Sequence, residues 1–273
     1  MDTPTEHDGW VASLDLAYAR AGSRTVPTLR AHSGPLRVQK HFEPEPGLCE
    51  HILVHPPGGI AGGDDLSIRV SVGEQSKVRL TTPGATRWYR GAGRAASQRV
   101  EVTVARGATF ELLPHPHLVF DEARATSSLV IDLAADTTFI GWDIVALGRP
   151  AGDHPFVSGR WCSRLELTRE GRLNYSDRLD LPADSPLRRS PLGLSGHDAF
   201  GTALFVGTGT LDLTSVDPLG LSVGLTELGS GLRVARALGG SAEVIHQWFI
   251  ALWRLALPSL TGRQATPPRI WRT

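Results

Sequence analysis

Between residues 66 and 181 the chain repeats one figure: an alternating apolar strand, a short polar turn, a second strand, then a longer polar or proline-containing connection. Residues 66–72 and 77–80 give it first, around Gly73-Glu74-Gln75. Residues 99–104 with 109–113, 129–133 with 137–145, and 165–168 with 172–181 give it again. Aligned on Val70, Val102, Ile131 and Leu165, the units follow at intervals of 32, 29 and 34 residues. Period-2 alternation specifies strands with one buried face. A period of this length is how stacked architectures appear in sequence, because one unit cannot cover its own apolar face. An antiparallel sandwich also spaces its hairpins in this way, but the agreement of three successive intervals favours a stack. The expected fold is mainly β: stacked, β-helix-like sheets of hairpin units, with a C-terminal helix and few other helical elements.

The flanks extend this reading. Residues 10–18, 36–42 and 51–54 read as strands before the repeat. After it come strands at 201–206, 221–225 and 232–237, the last two joined by a turn at Gly229-Ser230-Gly231, with 208–219 rich in turns. Ser241 is a possible helix cap, and Glu243 in the first turn complements the helix dipole. Val244, Ile245, Trp248, Phe249, Leu252 and Leu255 follow at helical spacing. Pro258 is expected to end that helix, and Trp253 and Leu257 widen its apolar face towards burial or a partner surface. No stretch reads as a linker, so residues 1–273 form one domain.

Charge and composition remove several classes of function. Lys+Arg and Asp+Glu are both 28, so no net field draws the chain to nucleic acid or an anionic membrane. The most apolar window, 244–257, is interrupted by His246, Gln247 and Arg254, too short and too polar to span a bilayer. The acidic N-terminus is not a signal peptide, and two cysteines, Cys49 and Cys162, suit a reducing compartment. The expected location is cytoplasmic. Phosphate-loop, nucleophile-elbow, His-Glu-x-x-His and Cys-x-x-Cys motifs are absent.

Two loops stand out. In His55-Pro56-Pro57-Gly58-Gly59-Ile60-Ala61-Gly62-Gly63-Asp64, prolines fix φ, glycines permit close backbone approach, and a possible metal ligand stands at each end. Thr82-Pro83-Gly84-Ala85-Thr86-Arg87-Trp88-Tyr89-Arg90 sets two aromatics among arginines after a Pro-Gly turn, a composition enriched at binding surfaces. Among possible metal ligands, His51 and His55 would be about 13 Å apart in a strand, too far to share an ion. His115 and His117, two apart in an extended segment, would share a face at roughly 6.6 Å. Asp64, Asp143 and Glu166 are carboxylates whose context is apolar or glycine-rich; one turned inward needs a partner, a proton or a cation.

Taken together, these segments resemble the UreD (UreH) family of urease accessory proteins. The resemblance rests on Pro56 to Asp64, Thr82 to Arg90, Gly141-Trp142-Asp143, Ser158-Gly159-Arg160-Trp161 and Pro268-Arg269-Ile270-Trp271. His115 and His117 depart from the family's pattern, and its helical segment after the Phe205-Val206 strand is shortened here. The resemblance implies a non-enzymatic β-helix-like protein that binds UreF and, through it, the GTPase UreG, and docks on apo-urease. Nickel would pass through it transiently, not as a permanent cofactor. Asp64, Glu166, Asp143, His115 and His117 are the candidate stations. Pro57, Gly58, Gly59, Gly62, Gly63, Pro83, Gly84, Arg87, Trp88, Tyr89 and Arg90 are the candidate partner-binding or structural motif. The rival reading is a stand-alone metal-dependent hydrolase built on His115, His117 and carboxylates.

Overall fold

The computed structural model describes residues 9–149, 152, 154–229 and 231–272; the acidic N-terminal residues 1–8 and Ser230 of the 229–231 turn lie outside them. Each alternating strand carries one apolar row, and the chain buries these rows by winding. One coil runs through β5 (Asp65–Val72), β6 (Lys77–Thr81) and the short β7 (Thr86–Trp88). The next runs through β8 (Ala96–Val104), β9 (Thr109–Leu113) and β10 (His117–Val119), each parallel to its counterpart. In the third, β11 (Arg124–Leu133) leads to β12 (Thr138–Leu147), long enough to pair with β9 at one end and β10 at the other. β13 (Arg160–Arg169) completes the parallel stack beside β11. The result is a three-faced β-solenoid, the stacked architecture that the period predicts.

Within a unit the two strands lie on different faces, each bonded to the next coil and not to each other. The turns at 73–76 and 105–108 therefore turn a corner instead of reversing the chain. Among the repeated units only the last is a hairpin, β13 pairing antiparallel with β14 (Arg172–Pro182). The alignment of Val70, Val102 and Ile131 is the true register. Leu167, two residues beyond Leu165 on the same face, completes it. All four are buried, stacked into one apolar ladder.

The stack begins earlier than the repeat suggests. β1 (Val11–Ala21) lies parallel to β5, and β4 (Leu48–Val54) lies parallel to β6. β2 (Arg24–Ser33) pairs with β1 as an edge strand that alternation does not announce. It contains Pro27 and is mostly exposed, so it carries no alternation to read. The expected strand at 36–42 shrinks to β3 (Arg37–Val38). On the other flank, β15 (Ala199–Val206), β17 (Leu232–Gly239) and β16 (Ser222–Leu228) extend the second face antiparallel.

Helix α1 (Ala242–Thr261) lays Ile245, Trp248, Phe249, Leu252 and Trp253 against the outer side of that second face. The widened apolar face is thus buried within the chain. Pro258 does not stop the helix. It sits in the last turn, and Gly262, at φ 70°, ends it by donating its N–H to the Pro258 carbonyl at 2.8 Å. Ser241 occupies the cap position without a side-chain cap bond.

Beneath α1, strand register creates a buried charge network. Glu50, Arg79 and Glu111 stand side by side on β4, β6 and β9. Arg79 has no exposed surface; it donates to Glu111 at 3.1 Å, to Glu50 at 3.0 Å and to the Thr266 carbonyl at 2.9 Å. Arg263 pairs with Glu111 at 2.9 Å and with Glu45, and the Trp253 indole donates to Glu111 at 2.9 Å. Helix and C-terminal segment are thereby fastened to three successive strands.

Candidate functional site

The two motif loops are one structural piece. Ile60 donates its N–H to the Arg87 carbonyl at 2.7 Å, and its own carbonyl accepts from Tyr89 at 2.7 Å. Gly62 packs directly on Gly91: a Cβ at Gly62 would lie 2.5 Å from the Gly91 Cα and 2.6 Å from the Arg94 carbonyl oxygen. Backbone presses from both sides and cannot move aside as a side chain would. Gly62→Ala is therefore expected to destabilise the fold by about 1–3 kcal/mol, measured by urea unfolding. A change within 0.5 kcal/mol, taking ~0.5 as the ordinary surface-substitution range, would show that the loops are not locked.

Together these loops wall a cavity of about 330 Å³ inside the coil. His55, Gly58, Gly59 and Ile60 contribute from the first loop, and Thr82, Pro83, Gly84 and Arg87 from the second. Leu66, Ile68, Val100 and Leu129 line the opposing side together with Gln98, Ser127 and Ser128, and His117 and Asp143 line it from β10 and β12. The Trp88 indole, completely buried, donates to the Nδ1 atom of His117 at 3.0 Å. That leaves the proton of a neutral imidazole on Nε2, which faces Asp143 Oδ1 at 3.3 Å. His117 thus holds the Asp143 carboxylate as a hydrogen-bond donor. Both ring nitrogens of His55 are buried without a partner among the described residues, and burial pushes its pKa down, keeping it neutral. His55 thus lines the cavity from the head of the first loop, the place that marks it in the sequence.

The other candidates lie elsewhere. Asp64 is buried, but its two oxygens accept from the backbone N–H groups of Trp10 and Ala61, both at 2.8 Å, so it shapes the loop. Glu166 sits on the outer side of β13, paired with Arg164 and with Arg178 at 2.8 Å. Those guanidiniums hold it at about 2. This contribution to stability is present above its ordinary range and is lost as pH falls towards that value. Neither carboxylate lines the cavity.

His115 and His117 do not share a face. The chain turns a solenoid corner between β9 and β10, and strand alternation does not survive a corner. His117 points inward; His115 packs outward against His246 of α1, ring centroids 4.9 Å apart. The paired ligands that a stand-alone hydrolase would use are separated. Among the described residues, no group of three or more His, Cys, Asp or Glu side chains converges as a metal site.

Of the second motif, Trp88 is core. Arg87, Tyr89 and Arg90 are exposed, with Tyr89 stacked on Phe120 at 5.0 Å and Arg90 within 3.7 Å of Glu122. Pro57 is exposed at the first loop's tip. Both cysteines are free; burial raises the Cys49 thiol to about 12, leaving it inert at neutral pH. No helix among the described residues is long and apolar enough to cross a membrane.

A sequence profile of the family described as UreD urease accessory protein matches residues 11–272. A Pseudomonas aeruginosa protein named urease accessory protein UreD is 46% identical over 271 residues, spanning 98% of this chain and 96% of its own. Proteins of the same name from Nitrosococcus oceani and Dechloromonas aromatica are 45% and 44% identical. They cover 97% and 100% of this chain, and 90% and 98% of their own.

Proposed function

We propose, from the premise that this chain belongs to the UreD family of urease accessory proteins, that it assists urease maturation by passing nickel through the cavity inside its coil. In this reading it works in the cytoplasm, bound to a UreF homologue and through it to the UreG GTPase, docked on apo-urease. Nickel is cargo and not a resident cofactor, and the chain itself catalyses no reaction.

The observation that carries the reading is Asp143. Among the described residues lining an otherwise largely apolar cavity it is the one carboxylate, and a neutral imidazole holds it in place. Late first-row ions accept carboxylate and imidazole ligands, so Asp143 and the unpartnered His55 are the nickel-facing groups of this proposal. His117 is a positioning residue, because its Nδ1 is occupied by Trp88 and its Nε2 proton by Asp143. Sparse ligation suits a carrier, since a closed four-ligand site binds its ion tightly. Asp64 and Glu166 serve the passage only indirectly, through loop shape and outer-face stability. The exposed Arg87, Tyr89 and Arg90 form the face offered to a partner.

Co-expression of the urease subunits and accessory proteins with Asp143→Asn tests the proposal. The expected result is an intact complex with the UreF homologue in pulldown and a loss of about tenfold or more in nickel per urease active site. Unchanged nickel content with an intact complex would reduce the role to docking alone.

A further inference from the structure

On the outer side of the second face lies a second imidazole pair. His115 precedes β10, and His246 sits one turn into α1, 3% exposed. The Nε2 atoms of both are buried, and neither has a hydrogen-bond partner among the described residues. Their surroundings are aromatic: Trp271 lies 6.0 Å from His115 and 5.3 Å from His246, and Trp142 lies 5.7 Å from His246. These indoles do not serve the imidazoles. Trp142 donates to the Pro114 carbonyl at 2.8 Å, and Trp271 to Thr81 Oγ1 at 2.9 Å. Two buried polar atoms left unsatisfied are destabilising, and a shared ligand would satisfy both.

The spacing fits a shared metal ion. An imidazole nitrogen binds a late first-row ion at about 2.0–2.1 Å, which places the ring centroid about 3.2 Å from the ion. Two such rings at a tetrahedral or square angle stand roughly 4.5–5.2 Å apart. The observed centroid separation is 4.9 Å. We propose that His115 and His246 form a two-imidazole site for one late first-row divalent transition ion, completed by water. Glu243 stands one turn before His246, is exposed, and acts electrostatically on His115. The ion would bridge α1 to the corner before β10. The site does not depend on the cavity reading, for it uses neither Asp143 nor His55.

Titration of the purified chain with Co²⁺, followed by the d–d absorption of the bound ion, reads this directly. Expected are one ion lost, with affinity lowered about tenfold or more, in both His115→Ala and His246→Gln, and retained in Asp143→Asn. X-ray absorption of the Co²⁺-loaded protein should show two imidazole ligands. Should His246→Gln fail to fold by circular dichroism, the partly exposed His115→Ala decides alone. An absorption and affinity unchanged in His115→Ala, or lost only in Asp143→Asn, would overturn the site. The latter result would still leave the cavity reading standing.

Discussion

Arg79→Met is expected to lower the unfolding free energy by about 3–5 kcal/mol, the usual effect of removing one partner from a buried ion pair. The arginine lies between Glu50 and Glu111 with no exposed surface, and both carboxylates are themselves buried. Without it, Glu50 keeps no ion-pair partner among the described residues, while Glu111 keeps Arg263 and the Trp253 indole. In a chain of this size the melting temperature should fall on the order of 10 °C. Adding Glu50→Gln should recover part of the loss, because a neutral amide is cheaper to bury than an unpaired charge.

The pH dependence has a definite sign. Burial raises the Glu50 carboxyl above its ordinary range. A raised carboxyl contributes stability that is fully present below its unfolded value and lost as pH rises through the folded one. Removal of Arg79 raises it further, so the variant's deficit should shrink as pH falls through the weakly acidic range. Urea unfolding of wild type and variant across that range measures this. A deficit under about 1 kcal/mol, the net worth of an ordinary hydrogen bond, would mean that the network is solvated and not structural.

Trp88→Ala should have a similar cost, about 3–5 kcal/mol, as for other large-to-small core changes. Trp88 is fully buried, packs edge-on to Trp161 at 5.6 Å, and fixes the imidazole of His117. Trp88→Phe separates the two roles. Most of the packing remains, so the stability loss should be about 1–2 kcal/mol, close to one hydrogen bond plus a small void. With Nδ1 released, His117 can exchange tautomers and no longer holds Asp143 by a fixed donor. Nitrogen-15 NMR of the His117 ring should show a single tautomer in the wild type and a mixture in Trp88→Phe. An unchanged tautomer would remove Trp88 from the positioning argument and leave it a core residue only.

Much of the fold was legible because the relevant information is local. Alternation in 66–72, 99–104 and 109–113 survives as β5, β8 and β9, and Val70, Val102 and Ile131 stack as their spacing requires. β2 was illegible because an exposed edge strand needs no apolar alternation. The two motif loops were visible as unusual backbone, but not that Gly62 and Gly91 touch. Of the candidate residues, Asp143 and His117 line the cavity, whereas Asp64, Glu166 and His115 lie outside its lining.

Alternation and turn chemistry, written residue by residue, set which segments are strands, that they stack, where the helix begins, and which loops have special backbone. The winding alone decided which side of the wall each polar group faces. A corner between β9 and β10 sends His115 out to α1 and His117 in to Asp143, although they are two residues apart. Winding also brings Glu50, Arg79 and Glu111 into one buried row from three separate coils. Strand periodicity holds only while the backbone stays extended, and neighbours across coils are set by the number of residues per turn of the solenoid, which no local pattern encodes.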